Sequence, residues 1–114
     1  MNEQELLDEI KTAYKVHGLR PIRGYFFVRG KRYDMACPMV ALAIHHKVED
    51  RADPELTKVV NVEWAAQRFG EEWVMGFNDG FDRQRKREVN KQDEYEKGYA
   101  FGVTLAKQIL PYGP

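Results

Sequence analysis

Four glycines recur at helical spacing inside sequence that otherwise favours helix. Glu72-Trp73-Val74-Met75-Gly76-Phe77-Asn78-Asp79-Gly80-Phe81 is followed, 22 residues on, by Glu94-Tyr95-Glu96-Lys97-Gly98-Tyr99-Ala100-Phe101-Gly102-Val103. Both read aromatic-x-x-Gly-aromatic-x-x-Gly-apolar. At about 100° per residue, Trp73, Gly76, Phe77, Gly80 and Phe81 share one stripe, as do Tyr95, Gly98, Tyr99, Gly102, Val103, Ala106 and Leu110. A glycine inside a helix costs about 1 kcal/mol relative to alanine. Four of them must be offset by something that only a missing side chain permits: close approach of another backbone or of a flat ring. The pattern predicts two amphipathic helices, 71–88 and 93–110, joined through the polar Arg83–Asp93 stretch and packed antiparallel, with rings filling the glycine notches. Such glycine spacing also occurs in membrane helices, but these segments carry too many charges to sit in a bilayer.

The segment Tyr95-x-x-Gly98-Tyr99-x-x-Gly102 resembles a stretch of ribosome modulation factor, a small basic protein of hibernating bacterial ribosomes. The resemblance is confined to that stretch. This chain differs from that family in length, in its net charge of zero and in the distance of Cys37-Pro38 from the glycine motif, so no residue role is carried over.

The whole chain reads as one 114-residue domain of class α+β, mostly α, with four to five helices around a central apolar helix and one small hairpin. Asn2 caps a helix over 2–17, Glu5 stands in the capping-box position, and Gly18 and Pro21 end it. Aromatic residues on either side of Arg29-Gly30 suggest a hairpin over 24–34. Met35–Val48 is the most apolar stretch. Pro38 suits a first helical position, and a helix over 37–48 that is apolar all round belongs in the centre of a fold. Asp53-Pro54 opens a further helix, 54–69, with Val59, Val60 and Val62 equally suited to a strand.

Net charge is zero, from 18 basic and 18 acidic groups, but the charges are segregated. Lys11 to Tyr33 holds seven bases and no acid, and a second basic cluster lies at Arg83, Arg85, Lys86 and Arg87. No apolar run is long enough to span a bilayer, and one cysteine precludes an internal disulfide, so a cytoplasmic protein is expected.

Candidate chemistry is sparse. Without serine there is no Ser/His/Asp triad, and no phosphate-loop motif occurs. Cys37, at a helix start, could carry a lowered thiol pKa. His45 and His46 lie about 12–14 Å along the same helix, leaving only His17 as a base brought by folding. The pairs His45/Glu49 and His46/Asp50 point about 100° apart and do not converge on a metal. No metal and no cofactor is expected. A better candidate is the hairpin, where Arg23, Arg29, Lys31 and Arg32 interleave with Tyr25, Phe27 and Tyr33. Bases for phosphates and rings for stacking suit single-stranded nucleic acid. The sequence therefore suggests a non-catalytic binding module, with a protein partner or a second copy of itself as the leading case. An RNA- or ribosome-associated protein and a small Cys37 enzyme are the alternatives.

Overall fold

A computed structural model describes residues 2–47 and 63–110. Among them are five helices and a small three-stranded sheet, an α+β fold dominated by helix. The chain divides into two compact units, Met1–Trp64 and Ala65–Pro114. No helix among the described residues is long and apolar enough to cross a membrane.

In the first unit, α1 spans Glu3–His17. The Asn2 side chain accepts from the Glu5 backbone N–H at 2.8 Å, and its amide donates to the Glu5 carboxylate at 3.0 Å. Gly18 closes the helix in the left-handed region, φ 60°, where a Cβ would be penalised. Leu6, Leu7, Ile10, Ala13 and Tyr14 form the buried stripe.

Helix α2 runs Pro38–His45, with Cys37 as its N-cap and every residue from Pro38 to Ile44 buried. It is shorter than the expected 37–48: His46 caps it, and Lys47 turns the chain at φ 60°. The expected helix 54–69 is described only over its last turns, residues 63–69, here called α3. Asp53-Pro54 and the valines at 59, 60 and 62 lie outside the described residues.

The sheet corrects the expected hairpin. Its strands are β1 (Arg20–Pro21), β2 (Phe27–Val28) and β3 (Met35–Ala36), in the order β1-β3-β2. β2 pairs antiparallel with β3, Phe27 opposite Ala36 and Val28 opposite Met35, while β1 joins β3 in parallel. Arg29-Gly30 is therefore no two-residue turn, and Lys31–Tyr33 is no strand. Residues 29–34 form a longer loop in which the Tyr33 carbonyl folds onto Gly30 where a side chain would stand. Burial decides this register. Pairing through 35–36 puts Ala36 at zero exposure, whereas pairing through 31–32 would have set two like charges on the sheet. Pro21, lacking an N–H, sits on an edge strand.

In the second unit, α4 spans Glu71–Phe81 and α5 spans Gln92–Ile109. Helix α4 stops well before residue 88. Arg83 takes φ 60°, its N–H reaches the Gly80 carbonyl, and the Gln84 N–H reaches the Asp79 carbonyl at 2.8 Å. That is a Schellman stop with arginine where glycine is usual.

The direction of packing is also corrected. A Cβ built on Gly76 would strike the Tyr95 carbonyl, and one on Gly80 the Tyr99 carbonyl. From the other side, Gly98 meets the Trp73 carbonyl and Gly102 the Phe77 carbonyl. Both rows ascend together, so α4 and α5 run parallel rather than antiparallel. The partner in each notch is backbone, not a ring. Helix axes normally lie about 8–10 Å apart because side chains separate them; at these four sites nothing does. The rings pack beside the seam instead, with Phe101 against Trp73 and Phe77 at centroid separations of 5.4 and 5.7 Å. Residues 22 apart exchange roles across the seam, so the sequence repeat becomes a pseudo-twofold.

Candidate functional site

The basic aromatic segment of the first unit lies on its surface. Tyr25 is 64% exposed and Tyr33 46% exposed, while Phe26, Phe27 and Val28 are half-buried. Neither alternate face of the strand is fully covered. The Arg20 guanidinium lies 4.8 Å from the centre of the Tyr33 ring, and that of Arg29 5.8 Å from Phe27. Both separations are within cation–π range. Lys31 and Arg32 are exposed, with no ion pair or hydrogen bond among the described residues; Arg23 is half-buried.

Local chemistry holds this loop in shape. The Arg20 N–H donates to the Asp34 carbonyl at 2.9 Å, and the Cys37 N–H to the Phe26 carbonyl at 2.9 Å. Asp34, the first acid after the long basic run, turns its carboxylate toward the Gly30 N–H at 3.4 Å. Backbone bonds at both ends thus fix a surface on which two tyrosine rings and several cations stand in water.

Cys37 is buried at the start of α2. The Tyr14 hydroxyl donates to the Ala36 carbonyl beside it, at 2.7 Å. Burial first, and then Cys37, push the Tyr14 hydroxyl well above its ordinary range. His17, the one base that folding could have brought to the thiol, stands instead at the far end of α2. Its Nε2 lies 3.3 Å from His45 Nδ1. His46 pairs with Glu9. Among the described residues no three His, Cys, Asp or Glu side chains gather as metal ligands; Glu49 and Asp50 lie outside those residues.

The second unit holds a polar cluster that sequence periodicity did not reveal. The Tyr95 ring is fully buried, and its hydroxyl donates to Asp79 at 2.6 Å while accepting the Arg87 N–H at 3.0 Å. Arg87 Nε donates to the same carboxylate oxygen at 2.8 Å. The Tyr99 hydroxyl donates to the Gln84 carbonyl at 2.6 Å, and Gln92 brackets the strap through Val89 N–H and the Arg87 carbonyl. Burial, and then the bond to Asp79, raise the Tyr95 pKa. Lys86 and Glu96 pair at 2.8 Å on the surface. Hydrogen bonding to Lys86 lowers the Glu96 pKa, and the reciprocal bond raises that of Lys86. Two helix-face tyrosines, read from the sequence as packing residues, thus also tie down the return chain. The signal was present as two hydroxyls at the positions where the first repeat carries Trp73 and Phe77.

No protein-family model matches the chain, and neither a curated protein nor a solved structure is similar to it.

Proposed function

We propose that the protein is a non-catalytic binding module whose contact surface is the basic aromatic loop of residues 20–33, and that its partner is single-stranded nucleic acid. One observation carries this reading: Tyr25 and Tyr33 stand 64% and 46% exposed within a run that contains bases and no acid. Exposed rings offer stacking platforms for unpaired bases, and the flanking Arg29, Lys31 and Arg32 supply charge for the phosphates. A protein partner or a second copy is the other reading; the two glycine faces are packed on each other within the chain.

Fluorescence anisotropy with a labelled single-stranded RNA of mixed sequence tests the proposal. Binding should weaken with salt, and Tyr25→Ala should lower affinity roughly tenfold, since stacking on one ring is worth about 1–3 kcal/mol per base. Equal affinity for Tyr25→Ala and the parent, or binding indifferent to salt, overturns it. Concentration-dependent sedimentation without RNA binding would return this face to self-association.

A further inference from the structure

The second basic cluster has a different setting from the first, and its geometry points to a phosphate site. An open cleft of about 570 Å³ is lined by Asp79, Arg83, Gln84, Arg85 and Arg87. Its charges are not self-satisfied. Asp79 is taken up by Arg87 and the Tyr95 hydroxyl, whereas the side chains of Arg83 and Arg85 have no hydrogen bond or ion pair among the described residues. Three guanidinium groups against one carboxylate leave two positive charges, matching a phosphomonoester dianion. Planar guanidinium forks suit its oxygens better than ammonium groups would.

Two features show that the cleft is held ready rather than being a loose run of bases. The backbone between the arginines is pinned at Gln84, whose carbonyl accepts from Tyr99 and whose N–H reaches Asp79. Arg83 also sits at φ 60° with a Cβ, where glycine or asparagine would fold at lower cost. Arg83 thus brings a long cationic side chain to the cleft lining at a backbone position that favours glycine. We infer that the second unit binds the phosphate group of a small phosphorylated molecule through Arg83 and Arg85, with Arg87 anchored by Asp79 as the third cation.

The test uses the full chain, with inorganic phosphate and a nucleoside monophosphate as probes and sodium chloride at matched ionic strength as control. Phosphate at tenfold over its Kd should raise the melting temperature by about 5 °C, and chloride should not. Arg83→Gly and Arg85→Ala should each abolish that rise, and Arg83→Gly without phosphate should melt at or above the parent. The double variant Lys31→Ala/Arg32→Ala should keep the response, which separates this site from the loop of the first unit. A response retained in either arginine variant, lost in the double variant, or reproduced by chloride overturns the inference. So does a lower melting temperature for Arg83→Gly, which would make Arg83 a complement to the helix end only. Tighter binding of the nucleoside monophosphate than of inorganic phosphate would place an organic moiety in the cleft, and equal binding would confine recognition to the phosphate.

Discussion

Tyr95 places a hydroxyl where α4, α5 and the strap between them meet. Removing it in Tyr95→Phe leaves the Asp79 carboxylate and the Arg87 N–H each short of a partner. Hydrogen bonds to charged groups are worth about 1.5–3 kcal/mol, and urea unfolding should show a loss in that range with an unchanged m-value. Tyr14 is a second buried hydroxyl, and its raised pKa gives a pH dependence of definite sign. The unfolded chain releases that proton near pH 10 while the folded chain holds it. Its contribution is therefore complete below about pH 10 and is lost as pH climbs through that value toward the folded pKa. Of the six tyrosines, Tyr14 should form tyrosinate only as the chain unfolds and Tyr95 later than an ordinary tyrosine, which an absorbance-monitored alkaline titration would resolve. None of these partners could be read from the sequence. Tyr14 and Ala36 stand 22 residues apart, and no periodicity within a helix reports what waits at the tip of a side chain.

The helix pair depends on what is missing at positions 76, 80, 98 and 102. At Gly98 an added methyl would also come within 3.0 Å of the Phe77 nitrogen, and backbone cannot swing aside as a side chain can. Gly98→Ala should therefore destabilise by about 3 kcal/mol or more, the cost of overpacking outweighing the gain of about 1 kcal/mol in helix propensity. Gly70, by contrast, has open space around its Cβ position among the described residues but is held at φ 94°, ψ 139°, so Gly70→Ala should cost about 1–3 kcal/mol through backbone strain alone. Thermal or urea melts of the two variants side by side would separate crowding from conformation. The glycine stripe made helix and close approach legible, because a 3.6-residue period and a propensity cost both reside in the sequence. Direction did not, since a stripe of small residues accommodates a neighbour running either way. The strap bonds of Tyr95 and Tyr99 accompany the parallel arrangement, and they join residues with no shared period. The hairpin register was hidden for a similar reason. Each strand is two residues long, too short for alternation to declare a face, and the burial of Ala36 settles the pairing.

Across the whole chain, neutrality conceals separated charge, and electrostatic behaviour should follow the local patches rather than the sum. Substituting Lys31 and Arg32 by alanine should make the salt dependence of RNA binding shallower, by about 0.7 in slope for each phosphate contact removed. Because both side chains are exposed and without ion pairs among the described residues, the variant should melt as the parent does. The parallel course of α4 and α5 sets a condition of another kind. Two rods pointing the same way cannot be linked by a tight bend, so the connection must travel back along nearly a full helix length, about 16–18 Å. Residues 84–89, free of helix and turn, can reach about 20 Å when extended. Surface loops are ordinarily the most forgiving places to shorten a protein. This one works as a gauge cut to length: insertion near Glu88 should be harmless, while excision of two residues should pull the neighbouring helix ends apart.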